Sequence, residues 1–89
     1  MNNERAEELV FIFHSTHDAI MGERSLLNAS IAVKVMPIPD CLGPACGIAL
    51  RVNPEDAEEA GTLLGQNVRG IYRRLFADGN TERFVLWNP

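Results

Sequence analysis

Four side chains in this sequence carry chemistry that packing alone does not call for: His14, His17, Cys41 and Cys46. A thiol attacks as the thiolate, so a cysteine becomes a working group where positive potential lowers its pKa. Imidazole supplies positive charge or relays a proton near neutral pH. The set therefore admits two chemistries. One is a reactive thiol at Cys46, with His14 and His17 in support and Cys41 as a resolving thiol. The other is a metal set. His14-x2-His17 with Cys41-x4-Cys46 offers two nitrogens and two sulfurs, a donor set that suits zinc, although the spacing is not that of a standard finger. Gly43 and Gly47 flank Cys46 and would let a partner approach the sulfur closely. The sequence contains no glycine-rich phosphate loop, no G-x-S-x-G elbow and no paired-carboxylate arrangement. Glu55, Glu58 and Glu59 read as a solvated helix face, and Ser15 reads as a helix cap.

The elements that must position these groups follow from periodicity. Leu9-Val10-Phe11-Ile12-Phe13 is apolar throughout and reads as a central strand. Ser15 followed by Asp18 is a capping-box pattern, so a helix should start at about Thr16. Ala19, Ile20, Leu26 and Leu27 are its expected apolar stripe, and Asn28-Ala29-Ser30 its end. Ala32 to Met36 alternates as a second strand, with Val33 and Val35 on one face, stopped by Pro37 and Pro39. The Asp40–Ala45 stretch is a loop, and a third strand begins near Cys46 and runs to Val52. Asn53-Pro54-Glu55-Asp56 predicts a second helix with Asn53 as N-cap. Its stripe is Ala57, Ala60, Leu63 and Leu64, and Gly65 is its expected stop. Gly70 to Phe76 is a fourth strand, Ala77 to Asn80 a turn, and Thr81 to Trp87 a possible fifth strand.

This order predicts an α+β fold: a ferredoxin-like βαββαβ sandwich, with an antiparallel sheet, two helices on one face and an extra C-terminal strand. Strands one and three should be antiparallel neighbours in mid-sheet. The end of strand one then lies beside the start of strand three. His14, Ser15 and the first helix's N-terminus would fall near Cys46, where unpaired amides and the helix dipole favour a thiolate.

The chain has 89 residues, 46% of them hydrophobic, and a formal charge of -4. It reads as one domain, residues 1–89, with a core at about 8–76 and a turn and edge strand at 77–89. Its small size excludes a two-domain enzyme and implies a thin core. Two cysteines do not make a disulfide framework. The acidic balance argues against nucleic acid as a partner. No apolar run reaches the length of a membrane span. The polar N-terminus lacks a signal-peptide pattern, so the expected location is the cytoplasm. Arg69, Arg73, Arg74 and Arg83 concentrate basic charge near the C-terminus. They form either a solvated strand face or an anion-binding patch.

Three segments resemble a known family. These are Phe11-Ile12-Phe13-His14-Ser15-Thr16-His17-Asp18-Ala19, Val33-Lys34-Val35-Met36-Pro37-Ile38-Pro39 and Cys46-Gly47-Ile48-Ala49-Leu50-Arg51. In this order they resemble the selenium/sulfur carrier-like family, over roughly Val10 to Tyr72. The resemblance implies that Cys46 is the family's characteristic cysteine, a persulfide or selenide carrier, and that His14, Ser15 and His17 belong to its phenylalanine–histidine–serine segment. Cys41-Leu42-Gly43-Pro44-Ala45 departs from the serine-rich stretch usual in that family. Cys41 thus opens an intramolecular disulfide or persulfide hand-off.

The leading expectation is a non-enzymatic carrier that needs no cofactor and meets sulfur- or selenium-donor and acceptor proteins. The alternatives are a metal- or ligand-binding regulatory domain and a structural module. An exposed apolar edge strand further suggests a homodimer through the sheet edge.

Overall fold

The computed structural model describes residues 8–38, 47–77 and 81–87. Five strands form one antiparallel sheet: β1 (Glu8–Phe13), β2 (Val33–Pro37), β3 (Ile48–Val52), β4 (Val68–Ala77) and β5 (Thr81–Leu86). Helix α1 (Thr16–Asn28) joins β1 to β2, and α2 (Ala57–Leu64) lies between β3 and β4. The strand order is β2-β3-β1-β4-β5. This is the ferredoxin-like arrangement with a fifth strand added beside β4, and β1 pairs antiparallel with β3 as expected.

Central position explains the apolar run of β1. Leu9, Phe11 and Phe13 face the helices and join a cluster with Ala19, Leu26, Leu50, Val52, Ala60 and Leu64. Val10 and Ile12 point to the other face, where they form a second buried cluster with Ala49. No helix is needed to cover that face. Met36, Ile38, Tyr72 and Phe84 pack over it. The Tyr72 ring lies 3.3 Å from where a Cβ on Gly70 would stand, filling the space that glycine leaves.

Both helices depart from their expected stripes. Ala19, Gly22 and Leu26 are the buried face of α1, while Ile20 and Leu27 are 43% and 54% exposed. The reason lies in Gly22. A Cβ there would meet Leu64 and Phe13 at 3.0 Å, so the glycine sets how closely α1 approaches α2 and the sheet. That contact fixes the helix rotation and turns Ile20 and Leu27 outward. On α2 the buried residues are Ala57, Ala60 and Leu64, and Leu63 is exposed.

The helix ends are also informative. α1 stops in a Schellman-type cap: the Ile31 amide donates to the Leu26 carbonyl and the Ser30 amide to the Leu27 carbonyl. Ser30 takes the positive φ of 63° that such a cap demands. Asn53 does not cap α2 through its side chain. Pro54–Asp56 instead form a 3-10 turn that leads into the helix, with the Asp56 amide donating to the Asn53 carbonyl. Gly65, with φ of 58°, ends α2. β2 runs one residue later than the alternation suggests and includes Pro37, which an edge strand tolerates. β4 begins at Val68, two residues before the expected Gly70. Among the described residues no helix is long and apolar enough to cross a membrane.

Candidate functional site

The candidate site is the end of the sheet where β1 finishes and α1 begins. Register puts Ile12 opposite Ala49 of β3, so the next residues of β1 lead toward the start of β3. The most direct contact is between Gly47 and Thr16. A Cβ on Gly47 would stand 3.0 Å from Thr16 Oγ1, and Gly47 holds a φ of 150°. The residue that follows Cys46 in the chain is therefore packed against the first residue of α1. Only glycine suits that place, because any side chain would meet both steric crowding and an unfavourable backbone.

Ser15 builds the helix start. It is extended, with φ -150° and ψ 161°, and its Oγ accepts from the Asp18 amide at 3.1 Å. One half of the expected capping box is thus present, and the cap satisfies one of the amides that a helix start leaves unpaired. The amides of Thr16 and His17 have no intrahelical partner by the geometry of any helix start. Their N–H dipoles point out of the helix, into the space before its first turn. His14 and His17 are both exposed here. Asp18 in the same turn brings a negative charge.

On the other flank of β1 the ladder contains a bulge. Ile12 pairs with Gly70, but Phe13 pairs with Val68, which leaves Arg69 as the extra residue. Arg69 is exposed. It stands at the same sheet end as Gly47, on the far side of β1, two strand spacings or about 10 Å away. Bulges re-aim side chains at functional edges. In the sequence Arg69 is one of the C-terminal basic residues, and neither its place here nor the contact of Thr16 with Gly47 can be read from local composition. A single unpaired residue in a ladder leaves no trace in local composition.

The remaining basic residues do not form one patch. Arg73 and Arg74 are consecutive in a strand and take opposite faces, and both are half-buried. Arg74 donates to Glu8 at 2.9 Å at the opposite end of β1, where Arg51 donates to the same Glu8 oxygen at 3.1 Å.

Cys41 and Cys46 lie outside the described residues, as do Pro39 to Ala45 between and around them. Among the described residues no three His, Cys, Asp or Glu side chains form a metal-ligating group. The structure thus brings together His14, the α1 start, Gly47 and Arg69 at one sheet end.

A five-stranded ferredoxin-like sandwich with an exposed, polar helix start at its sheet end is the class that fold and site define. Within that class, residues 8–73 match the family described as "Putative Se/S carrier protein-like", and the chain belongs to this family. The match agrees with the resemblance carried by the three segments and extends it to Glu8 and Arg73. No curated protein and no solved structure matches the chain.

Proposed function

We propose that this chain carries sulfur or selenium on the thiol of Cys46. The observation that supports this reading is the contact of Gly47 with Thr16. Cys46 is one peptide bond from Gly47, and consecutive Cα atoms are about 3.8 Å apart. We infer that the Cys46 thiol works beside α1's first turn, because its chain neighbour Gly47 lies against Thr16. There the helix dipole, the amides of Thr16 and His17 at the helix start, and the Arg69 cation would favour the thiolate, with His14 exposed beside them. Asp18 opposes them and moderates the effect.

In the transfer step the Cys46 thiolate attacks the outer sulfur of a donor persulfide. A new S–S bond forms on Cys46, the donor's S–S bond breaks, and the donor leaves as a thiolate. The proton stays on the transferred sulfur. No oxidant, reductant or cofactor is needed. Selenium would follow the same exchange from a donor perselenide. Cys41 provides a second thiol to release the cargo: its thiolate attacks the Cys46 sulfur, hydrosulfide leaves and a disulfide remains.

The test is intact-mass spectrometry after incubation with a cysteine desulfurase and cysteine. The wild-type chain gains the mass of one sulfur, or loses two hydrogens once Cys41 has discharged the cargo and left the disulfide. Cys46→Ser gains none, and Cys41→Ser still loads. Equal loading of Cys46→Ser would defeat the assignment. Alkylation rates against pH provide a second measure, with a Cys46 thiol pKa expected below the unperturbed ~8.5.

A further inference from the structure

The two edges of the sheet are guarded differently. β2 carries the devices that keep an edge monomeric: an exposed lysine, Lys34, and a proline without an N–H, Pro37. β5 has no lysine and no proline, it carries the exposed charge of Arg83, and its Leu86 is 56% exposed. The Trp87 amide donates to the Ile71 carbonyl, so the odd-numbered residues of this strand direct their backbone groups to β4. Phe84 and Leu86 then direct theirs to the outer edge.

We propose that β5 pairs with β5 of a second copy of this chain, antiparallel about a two-fold axis through Val85, to give a continuous ten-stranded sheet. A two-fold axis normal to the sheet keeps both helix layers on one side, so a residue can oppose only residues of its own parity. Centring on Arg83 would stack two guanidiniums, which is unfavourable. Centring on Phe84 would oppose Leu86 to the acidic position 82 and Arg83 to Val85. Centring on Leu86 would place Phe84 and Arg83 opposite residues beyond the strand. Centring on Val85 pairs each residue from Arg83 to Trp87 with another of the same stretch. Phe84 meets Leu86 of the second copy, Val85 meets Val85, and Arg83 meets Trp87.

The last pair carries the argument further. Arg83 and Trp87 lie on the helix side of the sheet, since Arg83 pairs with Leu75 of β4 and Trp87 packs on the helix-side core. Beside Trp87 is an open groove of about 330 Å³, lined by Ala57, Glu58, Gly61, Thr62, Ile71 and Trp87. Gly61 adds no side chain to it, and the space beside Gly61 is open, with nothing within 4 Å of where a Cβ would stand. The groove offers an indole face and a carboxylate, which is the chemistry that receives a guanidinium. Arg83 is exposed. The second copy's Arg83, held opposite Trp87 by the register, is the occupant that fits. The symmetry provides two such seats per dimer.

The experiment is disulfide trapping in the full chain with both native cysteines changed to serine. Val85 opposes itself in a non-hydrogen-bonded pair, where Cα atoms are about 4.5 Å apart, within disulfide range. Val85→Cys should form a covalent dimer on mild oxidation and Phe84→Cys should not. In the native-cysteine chain, Arg83→Glu should weaken dimerisation at least tenfold by sedimentation equilibrium, and Arg83→Glu with Glu58→Arg should restore it. Circular dichroism confirms that each variant is folded. A folded Val85→Cys that stays monomeric, trapping through Phe84→Cys instead, or an Arg83→Glu dimer of unchanged affinity would each overturn the proposal.

Discussion

The two ends of β1 treat charge in opposite ways. Where β1 begins, Glu8 is clamped between Arg51 and Arg74, and all three side chains are about four-fifths removed from solvent. Those charges engage one another, since a single Glu8 oxygen accepts from both guanidiniums. Where β1 ends, His14, His17 and Arg69 are exposed. Position there is set by backbone devices instead: the Ser15 cap, the bulge at Arg69 and the left-handed Gly47. The difference teaches that polar side chains spent on each other support the fold, whereas those held by the backbone stay available for chemistry.

Breaking the end of β1 that meets α1 should produce the larger change. Gly47→Val places a branched side chain against Thr16 Oγ1 in a backbone conformation suited to glycine. We expect a loss of about 1–3 kcal/mol in urea unfolding, together with slower alkylation of Cys46. Normal alkylation in a destabilised variant would separate the Gly47 contact from thiol activation. At the opposite end, Glu8→Gln leaves two guanidiniums facing a neutral amide. The expected cost is about 1–2 kcal/mol, with sulfur loading unchanged. Loss of loading in that variant would show that the two ends are coupled.

Ser15→Ala removes the cap on Asp18 and should cost about 1 kcal/mol. Because Ser15 starts the helix that lies against Gly47, the change should also alter the alkylation rate of Cys46, which Glu8→Gln should not. The smallest effect belongs to Arg51→Met. Its Nε is buried without a hydrogen-bond partner among the described residues, a cost that the substitution removes. Glu8 keeps Arg74. Denaturation should shift by less than about 1 kcal/mol.

Much of the scaffold was legible in the chain because local patterns dictate it. The continuous apolar run of β1 announces burial on both faces. Ser15 with Asp18 marks the start of α1, and Gly65 the stop of α2, because caps are made by residues adjacent in sequence. Helix rotation was less accessible. Ile20, Leu27 and Leu63 satisfy a helical period as well as the residues actually buried, and only the close approach at Gly22 selects the face. Asn53 illustrates a related limit: its type suits an N-cap, yet the 3-10 turn at Pro54–Asp56 displaces the helix start beyond its reach.

By itself, then, the sequence determined the order of elements, the sheet's central pairing, the family and the cysteine on which the carrier reading rests. Each depends on residues near one another in the chain, or on three segments in fixed order. Tertiary structure alone decided that Thr16 meets Gly47, that Arg69 is bulged out beside the end of β1, and that Arg51 and Arg74 converge on Glu8. Those contacts join residues 31 to 66 positions apart or depend on strand register. Strand register is a property of two paired segments together, and neither segment encodes it alone.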